Sequence, residues 1–206
     1  GIQIVDVSQG LNTPDTLTML RAMAEINTNG RGFGQDAVVA TIPYPAVRDN
    51  ALVHMVDVAA AEIQANPLVA ATGTLPLLLV DPLQVRVAAY WPPGEMRVDL
   101  PNGASPIYAP IGRGNAIALG VIGGRDLAVL AAIVDGPQGP EDRLIAVDVR
   151  SSATPQILGS VALSPLGVPQ DIVLRGTTAI VTTQRGDGEG EAIIVELIDP
   201  VTPYVK

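Results

Sequence analysis

The side chains that could do chemistry are few. His54 is the only histidine and there is no cysteine, so a multi-histidine metal cluster, a thiolate site, a disulfide and a paired-imidazole acid–base system are all excluded within the chain. No serine stands in a Gly-x-Ser-x-Gly elbow. The glycine-rich pieces Gly30-Arg31-Gly32-Phe33-Gly34 and Gly112-Arg113-Gly114-Asn115 lack phosphate-loop spacing and the Gly-Lys-Ser/Thr that completes it. Carboxylates remain. Asp187, Glu189 and Glu191 alternate with glycine in one polar segment and are the candidate Ca²⁺ ligands, since that ion takes hard oxygen donors on a flexible loop. They lack twelve-residue EF-hand spacing, and the bland reading is a solvated hairpin tip. The overlapping Arg185-Gly186-Asp187 spells the integrin-binding tripeptide, a three-letter match that carries little weight alone.

Five further acids recur in a pattern. Ile4-Val5-Asp6-Val7, Met55-Val56-Asp57-Val58, Arg97-Val98-Asp99-Leu100, Ala146-Val147-Asp148-Val149 and Ile194-Val195-Glu196-Leu197 share an aliphatic–acid–aliphatic core, with the valines 51, 42, 49 and 48 residues apart. A small polar residue and proline follow each: Thr13-Pro14, Asn66-Pro67, Ser105-Pro106, Thr154-Pro155 and Thr202-Pro203. Recurrence at one strand position is explained by geometry, because a carboxylate at a strand end accepts backbone N–H groups of the following loop. The competing reading is a ring of acids pointing into an axial channel and holding a hard cation. His54 occupies a slot filled by Gln3, Met96, Ile145 and Ile193 in the other units, which is the pattern of a structural or solvent-facing residue.

The elements that carry these acids are short strands. A period in the forties accommodates four strands of five to seven residues with their turns, one blade of a β-propeller. The last unit shows the plan: Ile157 to Leu163, Asp171 to Leu174, Ala179 to Thr183 and Ala192 to Leu197 are apolar runs separated by loops and turns. The preceding unit repeats it, with Ala116 to Val121, a Gly123–Asp126 turn, Leu127 to Val134, a loop at 135–142 and Leu144 to Val149. Trp91-Pro92-Pro93-Gly94 reads as a hairpin turn with an exposed aromatic, and the alanine-rich Val58 to Ile63 as a short insertion. Thr13 to Glu25 has a helix-start signature that competes with a strand in the repeat register.

Composition agrees with a turn-rich β scaffold. The 206 residues include 21 glycines and 18 prolines, well above the average of about 12% for the two together. Net charge is −9, which repels a phosphate backbone, so nucleic acid is not expected as a partner. The apolar stretches break before the roughly 20 residues that a membrane-spanning helix needs, and no transmembrane segment is expected. One tryptophan and one phenylalanine leave little material for an aromatic cage.

The units resemble the bacterial propeller repeat named for its LVIVD strand. Gly1 to Ser8, Arg143 to Arg150 and Thr154-Pro155 to Ser160 match its pattern best. The resemblance is clear over about residues 113–206 and looser before; Glu196 replaces the motif aspartate and Glu95-Met96-Arg97 the third motif's apolar run. It implies a secreted or surface-associated propeller without a catalytic signature, so no catalytic residue is carried over.

The expectation is therefore an all-β propeller segment of four to five four-stranded antiparallel blades, with units at about 1–25, 26–72, 73–112, 113–163 and 164–206. With each motif read as the third strand of a blade, the strand count calls for residues or a partner beyond the chain, as in a fragment of a larger propeller. The expected role is a non-catalytic scaffold or protein-interaction module of an extracellular or surface assembly. Its partner would be another protein or the remaining blades, and no cofactor is expected besides the candidate Ca²⁺. The competing expectation is a metal-binding or enzymatic propeller whose site lies partly outside this segment.

Overall fold

The computed structural model describes residues 2–5, 38–42, 44–45, 53–100, 107–163 and 167–206. The helix-or-strand alternative at Thr13–Glu25 and the motif acid Asp6 lie outside them. The described residues form antiparallel strands and no helix. β1 (Ile2–Val5) pairs with β2 (Val38–Ile42). β3 (Met55–Ile63), β4 (Asn66–Gly73), β5 (Leu77–Asp81) and β6 (Arg86–Trp91) form a four-stranded meander. A five-stranded sheet follows, from β7 (Arg97–Leu100) through β8 (Ile107–Ile122), β9 (Arg125–Gly136) and β10 (Gly139–Asp148) to β11 (Gln156–Ala162). A last meander contains β12 (Val168–Arg175), β13 (Thr178–Gln184), β14 (Gly190–Glu196) and β15 (Tyr204–Val205).

Burial explains the sequence texture. Leu127, Val129 and Ala131 of β9 face one way, with Ala116 and Ala118 of β8 and Leu144 of β10, and pack on Ile172, Ala179, Val181, Ile193 and Val195 of the last meander. Ala128, Leu130 and Ala132 face the other way, with Ile145 and Val147, and pack on Ile63, Leu68, Ala70, Leu77 and Leu79 of the β3–β6 sheet. A strand covered on both faces has no solvent side, so β9 reads as one apolar run. On its far face the β3–β6 sheet presents Met55, Val69, Leu78 and Val80 to Ile42 of β2. The sheets thus stand in a row, each shielding its neighbour. Full burial of a Leu or Val side chain contributes roughly 1.5–3 kcal/mol, and the middle sheet collects this on two faces.

β8 is the joint. Its pairing slips between Ile111 and Gly114 and again between Gly114 and Ala116. Such bulges bend a strand, so Ile107–Pro110 pairs with β7 while the rest pairs with β9. The five-stranded sheet curls until β7 comes up against β11, giving a nearly closed, barrel-like body.

Several expectations change. The motif acid lies on the third strand of its meander in β10 and β14, and a proline precedes the fourth strand, β11 or β15. At residues 55–58 the motif instead opens the first strand, β3, and Val58–Ile63 continues that strand rather than forming an insertion. The loop expected at 135–142 is a tight turn at 137–138 between extended strands. Trp91 is not exposed: it ends β6 at 5% accessibility inside the core with Leu79 and Ile111, because the prolines after it, not the ring, form the surface turn.

Gly114 marks the closest approach between sheets. A Cβ there would collide with the Thr72 side chain and press on Leu130, and Thr72 cannot turn aside because its buried hydroxyl donates to the Pro76 carbonyl at 2.7 Å. Gly114→Ala is expected to cost roughly 1–3 kcal/mol by overpacking. Gly186→Ala, where a Cβ meets nothing, should stay within about 0.5 kcal/mol of the parent. Urea unfolding of the two variants checks both values.

Candidate functional site

The recurring acids reach different surroundings. Asp57 sits at a slip in the β3–β4 register, where one oxygen accepts the N–H of Val58 and the other the N–H of Ile117 on β8, both at 2.8 Å. It therefore ties the β3–β6 sheet to the next. Burial raises its pKa; the two N–H donors oppose that and the nearby Asp171 carboxylate adds to it. Asp99 is exposed on β7. Asp148 accepts the Arg150 backbone N–H at 3.0 Å, the strand-end cap expected of the motif, and forms an ion pair with the Arg150 guanidinium at 2.7 Å. The guanidinium hydrogen bonds hold its pKa below the usual carboxylate range. Glu196 is buried and receives the Lys206 ammonium at 2.7 Å and the Thr177 hydroxyl at 2.7 Å, which lower its pKa in that order.

Of the candidate Ca²⁺ ligands, Asp187 and Glu189 lie in the β13–β14 turn and Glu191 on β14. Asp187 accepts the Glu189 N–H at 3.0 Å, and Glu191 forms an ion pair with Arg185, so one carboxylate is already neutralised and another shapes the turn. Arg185-Gly186-Asp187 lies on the same turn. His54 is exposed, and its backbone N–H donates to the Thr74 hydroxyl at 3.1 Å. Among the described residues no three His, Cys, Asp or Glu side chains are grouped to hold a metal ion.

A different place gathers polar groups around a hollow. The β3–β4 turn, the β5–β6 turn and the chain after β10 frame a cleft of about 310 Å³ lined by Gln64, Leu83, Gln84, Arg86, Arg150 and Ser152, among others. Its walls are unusual in backbone. Gln64 and Ala65 have φ of 50° and 60°, and Val85 has φ of 51°; these are left-handed conformations that favour Gly or Asn, and a β-branched residue there is strained. Asp81 organises the second turn by accepting the N–H groups of Leu83 at 3.1 Å and Gln84 at 3.0 Å. That leaves Leu83 70% exposed beside the exposed Arg86, while Arg150 is braced by Asp148 from below. An apolar knob, two guanidinium groups and side-chain amides thus stand around one hollow and could meet an apolar group and an acidic group together.

The acid–proline spacing did not reveal this cleft, because its walls come from three turns distant in sequence. The one local signal is Asp81-Pro82, a turn opener. The resemblance of Asp171-Ile172 to Asp57-Val58 was equally unmarked: Asp171 also sits at a register slip and accepts the N–H of the next residue at 2.8 Å. No family model, no curated protein and no solved structure matches this chain.

The shifts give a signed prediction. A carboxylate whose folded pKa is raised, as for Asp57 and Asp142, contributes stability that is present below its unfolded value and lost as pH rises through its folded one. A lowered one, as for Asp148 and Glu196, contributes stability above its unfolded value that is lost as pH falls through its folded one. Carboxyl-carbon NMR titration should place Asp57 and Asp142 above, and Asp148 and Glu196 below, ordinary values. Lys206→Met should raise the Glu196 midpoint, and its stability deficit at neutral pH should vanish in acid.

Proposed function

We propose that the chain is a propeller-type repeat scaffold, part of an extracellular or surface assembly, that binds a protein partner through the turns at the β3–β4 and β5–β6 end of its sheets. The observation that carries this is the cleft between those turns. Strained non-glycine turns hold an exposed Leu83 and the Arg86 guanidinium over a hollow floored by Val149 and Leu68. The chemistry that fits is an extended peptide segment with an apolar side chain next to a carboxylate: the first covers Leu83 and the second meets Arg86, in a chain whose net charge of −9 elsewhere repels acids. The propeller reading rests on the two consecutive meanders β8–β11 and β12–β15, stacked face to face with the motif on the third strand, and surface placement rests on the repeat resemblance.

Peptides selected from a display library against the whole chain test the reading. The expected binders pair an aliphatic with an acidic residue and lose at least about tenfold in affinity on Leu83→Asp or Arg86→Glu, a loss of about 1.4 kcal/mol or more. Binders indifferent to both substitutions would contradict it. So would stoichiometric metal retained by the purified chain on its acids, which would favour the metal-binding alternative.

A further inference from the structure

Among the described residues, the β12–β15 sheet has one covered face and one bare one. Ile172, Val181 and Ile193 point into the core, whereas Val173 and Ile194 are 51% and 44% exposed. Val173 pairs with Ile180 and Ile180 with Ile194, and paired residues project to the same side of a sheet. The bare face therefore carries an aliphatic row straight across three strands.

The corresponding face of the β3–β6 sheet shows what such a face does. Asp57 and Asp171 occupy matching positions, each at a register slip and each capping the next residue's N–H. On β3, the residues that follow on the Asp57 side, Ala59 and Ala61, pack against the next sheet, and the second Asp57 oxygen takes the Ile117 N–H across that contact. On β12 the equivalent positions are Val173 and Arg175, and the second Asp171 oxygen has no donor among the described residues.

We propose that this face is a two-fold interface with a second copy of the same chain. Its charge pattern along β12 is self-complementary, while on β15 the Lys206 ammonium is held by Glu196 of the same chain. A dyad along the row Val173–Ile180–Ile194 lays each of these residues on its counterpart and runs β12 antiparallel to the partner's β12. Asp171, two residues to one side of Val173, then opposes the partner's Arg175, two residues to the other side, and the reverse pair forms by symmetry. Thr182, paired with Asp171, opposes the partner's Thr178, paired with Arg175. Arg175 makes no ion pair among the described residues, so it is available. Facing sheets lie about 10 Å apart, a gap that an aspartate and an extended arginine close together.

Sedimentation of the full chain over a concentration series tests the assignment. A dimer is expected at low salt, converted to monomer by Val173→Asp, a half-exposed position outside the buried core. Arg175→Asp should weaken the dimer at least about tenfold, because it sets two acids opposite one another, and Asp171→Arg with Arg175→Asp in the same chain should restore it by exchanging both partners at once. Circular dichroism confirms folding of each variant. A wild-type chain that stays monomeric throughout, a dimer that survives Val173→Asp, or a folded double exchange no tighter than the single one would each overturn the proposal.

Discussion

Two-sided burial of one sheet is the constraint on which everything else depends. β8, β9 and β10 put alternate side chains into two separate cores, so neither flanking meander can be removed without exposing half of the middle one. This is why β9 tolerates no polar residue between Leu127 and Ala132 and why the residues there are small as well as apolar: Ala128, Ala131 and Ala132 let neighbouring sheets close in. Single polar ties cross the contacts where backbones would otherwise be unpaired. Asp57 receiving the Ile117 N–H is the clearest, and it accepts a desolvation penalty, visible in its raised pKa, to hold two sheets in register.

The proposed function places binding at the margins of this body. Sheets locked by shared cores leave the turns at their ends and the outermost face as the places free to vary. The cleft beside Leu83 belongs to the first kind and the face around Val173 to the second. Both combine exposed aliphatic groups with charged side chains, Arg86 and Arg150 at the first and Asp171 and Arg175 at the second. Several of these acids have partners within the fold: Asp148 pairs with Arg150, Glu196 receives Lys206 and Thr177, and Glu191 pairs with Arg185.

How far the fold could be read from the residues depended on how local the cause was. Strands with β-branched runs, such as Ala179–Thr183, and turns with glycine at positive φ, such as Gly123 and Gly176, announce themselves within a few residues. The repeat of valine, acid and aliphatic residue followed by proline located β10 with β11 and β14 with β15, because there the acid closes the strand that precedes the proline. It misplaced β3, since at Asp57 the same letters serve a bulge at the start of a strand, and only the neighbour Ile117, sixty residues away, distinguishes the two roles. Trp91 was misread for the same reason: Pro92-Pro93-Gly94 does form the turn, but the ring's burial is decided by Leu79 and Ile111 on other strands. The cleft depends on left-handed Gln64, Ala65 and Val85, residues with no intrinsic preference for that conformation, so nothing local points to it.

The central claim is that the middle sheet is sealed on both faces, and native-state hydrogen exchange measures it directly. Backbone amides of residues 127–134 on β9 should exchange only through global unfolding, with the free energy of the whole transition, while those of β15 and the β13–β14 turn exchange through local opening. Exchange from β9 as rapid as that from β15 would contradict the account, because it would mean that water reaches a strand the stacked sheets are held to enclose.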